Sequence, residues 1–422
     1  MNKKRLHISW LMILFVALLA PVLTITTAGQ SSPQSKPRKD KFGSSLKRLK
    51  WDAKQHVAVE KSEAKSSEAQ DEEEGIKLQT LVVSLDVLVK ENKLGRYIRG
   101  LKKEDFILTE DGQPQKVDGL GFGNATGRPR SIILIIDYSG SQIPYLETSI
   151  EAAKVLVSQL APQDKMTIIT DDVKMLIEFT SNQADLKAAL DDLLNQSKNG
   201  RRGHSHQFSA LLATLKELVD NESRCLIIFQ TDGDELHALR DQSKTGSPSS
   251  ENGKNEFGLS DIYNAAEQTS ATIYTVITNG RLIGIPADDV YKSARKSLER
   301  RARLLAKNDV EYRKYVDDHP ITDRAIKRWV AEREPAQFAA ARASYLTGGL
   351  TGYLDEPEQA SGIYRDILTD INNRYSISYY PTNTKRDGSQ RKLRLEVRGH
   401  PEYIVHSRKT YLAPNDNPAH AQ

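Results

Sequence analysis

The sequence predicts an α/β fold: a doubly wound, mostly parallel sheet inserted in a small β-sandwich-like module built from N- and C-terminal strands. Three observations carry this. The continuous apolar run Ser131-Ile132-Ile133-Leu134-Ile135-Ile136 has the pattern of a central parallel strand covered on both faces. Strand and helix patterns alternate around it from 128 to about 280. Segments with strand alternation and turn chemistry lie on either side, at 76–127 and 373–414, and each is too small to close a sandwich alone.

In chain order, the first element is a leader. Lys3, Lys4 and Arg5 precede an apolar stretch from Ile8 to about Ile25, and the small residues Thr26-Thr27-Ala28 follow. That order predicts a secretory signal peptide over 1–28, with an uncleaved N-terminal anchor as its alternative. The remainder is then exported to the periplasm, the cell surface or the medium of a bacterium. It touches a membrane only through this segment, if uncleaved. Residues 29–75 are rich in Ser, Pro, Lys and Glu, with almost no aromatic residue beyond Trp51. Such a segment cannot bury enough apolar area to offset its chain entropy, which predicts a disordered linker.

From Ile76 the pattern turns to strand: Leu81, Val83, Leu85, Val87 and Val89 alternate as on a half-buried surface. Phe106-Ile107-Leu108-Thr109-Glu110 then leads into Asp111-Gly112, a hairpin-turn pair. Beyond Ile136, the set Leu146, Ile150, Ala153, Leu156, Val157 and Leu160 predicts an amphipathic helix. Strands at 166–169, 175–179, 225–229 and 272–277 are interleaved with helices near 183–194, 207–220 and 261–269. Between 281 and 340, Val290, Ala294, Leu298, Ala302 and Leu305 recur at near-helical spacing among mixed charges. Asp318-His319-Pro320 breaks that run and a second helix begins near Thr322, so the segment reads as an inserted helical hairpin with a solvated face. The α/β pattern resumes at Thr347-Gly348-Gly349 and closes with a helix near 363–371, so the domain spans 128–372. Strands at 375–380, 393–397 and 403–405 complete the β module, and 415–422 reads as a disordered tail.

Composition removes some function classes. The 422 residues carry 60 basic and 56 acidic side chains, a formal charge of +4. No element concentrates basic charge as a nucleic-acid binder would. The single cysteine, Cys225, excludes an intramolecular disulfide, a Cys-based zinc cluster and a lipoprotein anchor. It lies in the apolar run Cys225-Leu226-Ile227-Ile228-Phe229 and reads as a small core residue.

The chemistry concentrates at strand ends. Asp137-Tyr138-Ser139-Gly140-Ser141 stands directly after the central strand, and residues leaving the carboxyl ends of parallel strands face the ligand crevice of such folds. One carboxylate and two hydroxyls at alternate positions offer three oxygens from one turn, which suits a hard divalent cation: Mg2+ first, Mn2+ or Ca2+ as alternatives. Gln230-Thr231-Asp232-Gly233-Asp234 follows its strand in the same way, and Gly203-His204-Ser205 precedes the helix near Gln207. The candidate metal ligands are therefore Asp137, Ser139, Ser141, Ser205 and Asp232.

These residues together resemble the five-part metal-ion-dependent adhesion site of von Willebrand factor A-type domains. The flanks resemble the VWFA-related family first noticed in Acidobacteria. Its leader is matched by Gly100-Leu101-Lys102-Lys103-Glu104-Asp105-Phe106 with Glu110-Asp111-Gly112. Its tail is matched by Thr347-Gly348-Gly349, by Asn373-Arg374-Tyr375 through Tyr380-Pro381, and by Arg408-Lys409-Thr410-Tyr411. The resemblance covers roughly 77–280 and 341–412. It implies that the hydroxyls bind the ion directly and the aspartates directly or through water. It also implies that an acidic side chain of a protein partner completes the shell. Two departures stand out. Where the family reads Gly-Gly-Thr-Ala-Leu-Tyr-Asp-Ala, this chain reads Gly203-His204-Ser205-His206-Gln207-Phe208-Ser209-Ala210, keeping a hydroxyl at Ser205. Thr170-Asp171-Asp172 replaces an expected apolar-Phe ending, a change for which the sequence offers no reading.

Other readings are weaker. His204 and His206 flank Ser205 without a nearby third ligand, so they read as loop residues rather than a zinc site. Gly203-His204-Ser205-His206 is similar to the start of a lipase nucleophile elbow. Gln207 replaces the final Gly, however, and a polar loop precedes it where the elbow needs a strand. The expectation is a non-enzymatic binding protein. A structural envelope scaffold with a vestigial metal site is the second reading and a serine hydrolase using Ser205 the third.

Overall fold

The computed structural model describes residues 39–52, 54, 57–60, 81–123, 129–220, 223–239, 256–307 and 310–415. The signal peptide, residues 29–38, 53, 55–56 and 61–75 of the linker, and the tail beyond 415 lie outside them. No helix among the described residues is long and apolar enough to cross a membrane.

Residues 39–52, 54 and 57–60 depart from the expectation of a disordered linker. A short helix α1 (Ser44–Lys47) and two strands, β1 (Leu49–Asp52) and β2 (Val57–Glu60), form a small antiparallel unit there. Glu217 accepts the backbone N–H groups of Gly43 at 3.0 Å and Ser45 at 2.7 Å. Leu49 is buried in the α/β core, with Phe42, Leu46 and Ala58 packed at its edge. Composition failed here because the segment cannot bury its few apolar residues against itself but buries them against a surface supplied by the rest of the chain.

The first β segment contains β3 (Val83–Glu91), β4 (Phe106–Glu110), β5 (Gln113–Gln115) and β6 (Gly119–Phe122). Asp111 and Gly112, both at positive φ (49° and 82°), make the two-residue turn between β4 and β5.

The α/β domain begins with β7 (Arg130–Ile136), buried throughout. It continues through α2 (Ile143–Ser158), β8 (Lys165–Thr170), β9 (Lys174–Thr180), α3 (Gln183–Lys198), α4 (Gln207–Glu217), β10 (Arg224–Thr231), α5 (Leu259–Gln268) and β11 (Thr272–Thr278). Three helices follow: α6 (Ala287–Ala306), α7 (Val310–Asp318) and α8 (Asp323–Leu346). The domain closes with β12 (Thr351–Leu354) and α9 (Ala360–Asn372). The sheet order is β12-β11-β10-β7-β8-β9, parallel except for β9. Ile133 and Ile135 face one apolar cluster with α4, α5 and α8, while Ile132, Leu134 and Ile136 face another with α2, α3 and α9. Two covered faces explain the unbroken apolar run of β7.

The helical insertion differs from its expected form. Three helices are present, and α8 is not confined to the insertion. Its C-terminal half, with Ala336, Ala339, Ala340, Ala343 and Leu346, is buried in the sheet's own core, so α8 is the crossover from β11 to β12. Its N-terminal half contributes Ile326 and Val330 to a separate small cluster with Leu282, Val290 and Ala294. The helical period is the same in both halves, so the sequence pattern did not mark where insertion ends and core begins.

The last segment contains β13 (Arg374–Tyr379), β14 (Gln390–Val397), β15 (Tyr403–His406) and β16 (Thr410–Leu412). Strands from both ends of the chain pair: the sheets are β15-β3-β13-β6 and β16-β14-β4-β5, around one shared core. Arg374, fully buried at the root of β13, joins this module to the α/β domain by donating to Tyr274 Oη at 2.7 Å and to the Gly348 carbonyl at 2.9 Å.

Candidate functional site

Ile136 of β7 and Gln230 of β10 are register partners, so the chain leaves both strands at the same level. Asp137 and Asp232 consequently meet at the carboxyl edge of the sheet. Asp137 is buried; its Oδ1 accepts the Ser139 N–H at 2.9 Å, which folds the turn back on itself. The hydroxyls of Ser139 and Ser141 lie 3.1 Å apart, and Ser141 Oγ donates to Asp232 Oδ2 at 2.5 Å. Gly233, at φ 77°, follows Asp232; a Cβ there would stand 2.8 Å from the Ala336 carbonyl, so α8 approaches this turn too closely for a side chain.

Four of the five sequence-predicted ligands are thus brought together. Among the described residues no hydrogen bond joins the Ser205 hydroxyl to that group, and its loop is held through its backbone. Its backbone, at φ 57°, donates to Asp171 Oδ2 at 2.8 Å, while Asp171 Oδ1 accepts the Tyr138 N–H at 3.1 Å. Asp171 therefore clamps the Ser205 loop to the turn after β7, which gives the unread Thr170-Asp171-Asp172 segment its physical role. Burial raises the Asp171 carboxyl to about 6 against the lowering effect of these two N–H donors. The two histidines do not form a metal pair: His204 is exposed, and His206 faces Glu235, with Nδ1 3.6 Å from Oε1.

Three further residues complete the site. Gln207 is buried, and its Oε1 accepts the Glu235 N–H at 3.1 Å, which orients the amide. Its Nε2 then faces both carboxylates, 2.8 Å from Asp137 Oδ2 and 3.4 Å from Asp232 Oδ1. Asn279, directly after β11, donates to Asp232 Oδ2 at 3.3 Å. Arg333 of α8 lies 3.1 Å from Asp232 Oδ2 and also pairs with Asp234. The rule that found Asp137 and Asp232, a polar residue immediately after a parallel strand, also finds Asn279. A polar residue opening the otherwise apolar start of α4 was a signal for Gln207. Arg333 carried none, because it arrives from the insertion.

Electrostatics separate the two acids. Burial, followed by repulsion from Asp232 and Asp171, pushes Asp137 well above the ordinary carboxylate range. Burial would raise Asp232 as well, but Arg333 and the Ser141 hydroxyl together hold it below that range. Asp234 is raised to about 6 by burial and by the neighbouring Asp232.

The crevice offers two carboxylates and two hydroxyls, the oxygen donors a hard cation takes, while no group of three or more His, Cys, Asp or Glu that could hold a metal ion is found among the described residues. Two buried oxygens beside it, Gln142 Oε1 and Asn279 Oδ1, have no hydrogen-bond partner among those residues. Each belongs to an amide whose nitrogen reaches the cluster, Gln142 to Ser141 at 3.4 Å and Asn279 to Asp232 at 3.3 Å.

No protein-family model and no curated protein matches the chain. Among solved structures it is similar to the conserved hypothetical protein BatB from Bacteroides thetaiotaomicron, at 16% identity over 58% of this chain and 97% of that one, with a TM-score of 0.34. It is similar to the vWF domain of the type V pili tip protein Mfa5 from Porphyromonas gingivalis, at 12% identity over 58% and 95%, with a TM-score of 0.33. The manganese-loaded TRAP protein of Plasmodium vivax gives 14% identity over 72% and 98%, with a TM-score of 0.29. Likeness at this level carries no argument about function, and the α/β architecture stands on the chain's own strand order.

Proposed function

We propose that this chain is an exported, non-enzymatic binding protein of the VWFA-related kind, whose sheet-edge crevice holds a divalent cation and through it takes an acidic side chain of a protein partner. One observation carries the reading. Hydroxyl and carboxylate side chains from two strand ends converge, with Ser141 and Asp232, 91 positions apart, in contact at 2.5 Å.

Asp137 and Asp232 would be the charged donors, and Ser139 and Ser141 the neutral ones. With only two charged donors, a bound divalent ion, Mg2+ first and Mn2+ or Ca2+ as alternatives, stays electrophilic toward a partner's carboxylate. Asp171 holds the surrounding loops in place, and Gln207 keeps the two acids apart in its absence. Ser205 belongs to the proposal through the resemblance alone.

Calorimetric titration of the full chain with Mg2+, Mn2+ and Ca2+ tests this, beside Asp137→Ala and the closer-sized Asp137→Asn. Saturable binding that disappears in both variants is the expected result. Equal heats in wild type and variants overturn the reading. So does the absence of binding by all three ions once Arg333 has also been neutralised.

A further inference from the structure

The insertion reaches into the crevice with a charge. Arg333 is a largely buried guanidinium, its side chain 13% exposed, set against Asp232 and Asp234. Arg301, from α6, adds positive potential at the same two carboxylates. Asp232 Oδ2 already accepts from Ser141 and Asn279 and lies 3.1 Å from Arg333 Nη1 in an ion pair, so a cation approaching that oxygen meets a guanidinium on the same edge. Like charges that close in a buried site repel strongly.

The helix carrying Arg333 has a joint. Pro335 lies inside α8. It lacks an N–H, and its ring crowds the carbonyl of Ala331, so the helical hydrogen-bond ladder is interrupted within two residues of Arg333. Beyond the proline, Gln337 ties α8 to the sheet by accepting the Leu282 N–H at 2.9 Å and donating to the Gly280 carbonyl at 2.5 Å. Before it, α8 packs in the small cluster separate from the main core. Displacement of the first half is therefore possible without disturbing the half that covers the sheet. Three buried polar atoms around the cluster, Gln142 Oε1, Asn279 Oδ1 and Arg333 Nη1, have no hydrogen-bond partner among the described residues.

We propose that Arg333 is an intramolecular latch on the cation site: seated, it forms ion pairs with Asp232 and Asp234, and an entering divalent cation displaces it as α8 yields at Pro335. This rests on the reading of the crevice as a cation site. It makes the insertion a regulator of occupancy, so that binding of the ion is coupled to a movement of the insertion's surface.

The test is Mg2+, Mn2+ and Ca2+ titration of the full chain as wild type, Arg333→Met and Arg333→Lys, with Asp137→Ala as reference. Methionine keeps the apolar stem and removes the charge. Arg333→Met is expected to bind about tenfold or more tightly, from loss of a competing unit charge, and Arg333→Lys to stay near wild type. Amide exchange supplies a second readout: Mg2+ accelerates exchange across 323–334 in wild type, leaves 336–346 unchanged, and has no such effect in Arg333→Met. Equal or weaker binding by Arg333→Met, still abolished by Asp137→Ala, overturns the latch and leaves the cation site standing. Failure of every variant to bind overturns both.

Discussion

Two buried carboxylates, Asp137 and Asp232, share the crevice, and burial, then their mutual repulsion, pushes Asp137 upward. Gln207 makes the arrangement tolerable, because its amide, turned by the Glu235 N–H, donates to both. Gln207→Leu would leave Asp137 Oδ2 and the Glu235 N–H without this partner in a buried site. The expected loss is about 1–3 kcal/mol, read as a lower urea midpoint. An unchanged midpoint would reduce Gln207 to a space-filling role. At this scale the sequence was partly legible. That Asp137, Ser139, Ser141 and Asp232 converge could be read because a strand end is a local feature with a fixed direction. Arg333 could not, because its meeting with Asp232 depends on how an insertion folds back over a sheet 101 positions along the chain. Ser205 was legible as a loop hydroxyl, but what its loop is fastened to, Asp171, was not.

Among the elements, β7 and the alternation around it were read correctly because both faces of the sheet leave a mark in the pattern of apolar residues. α1, β1 and β2 were missed for the complementary reason. Their apolar residues are few, and their burial is donated by α4 and α5, through Glu217 and through Asp261, which accepts the Ala58 N–H at 2.9 Å. If the unit is docked rather than incidental, Leu49→Ala opens a cavity in the main core and costs about 2–4 kcal/mol. Limited proteolysis should then begin within 39–60 at protease levels that leave the wild type intact. Equal stability and equal cleavage would show that the segment contributes nothing to the fold. The same logic explains α8: a single helix serves two cores, and only contact with the sheet distinguishes its halves.

At the scale of the whole molecule, a set of buried charges joins the β module to the α/β domain. Arg224 Nε lies 2.9 Å from both oxygens of Asp86, and Arg374 also donates to the Asp86 carbonyl at 3.3 Å. Removing one member of such a pair leaves a buried charge uncompensated, so the two parts should unfold together rather than in turn. His406 sits at the same junction. Burial, then the nearby Arg374 and Lys90, lowers it from the ordinary 6.5 to about 4. Between those values the unfolded chain binds a proton that the folded chain does not, so this residue's contribution is whole above about 6.5 and is lost as pH falls toward 4. Asp171 and Asp234, both raised to about 6, act in the opposite sense over much of that window. The measurement must therefore be a difference: urea unfolding of wild type and His406→Gln at pH 7.5, 6, 5 and 4.5. The variant should gain on the wild type as pH falls, with the gap widening between about 6.5 and 4. Parallel curves would mean that His406 reaches solvent freely enough to accept its proton in the folded state, and that the junction is looser than its buried arginines indicate.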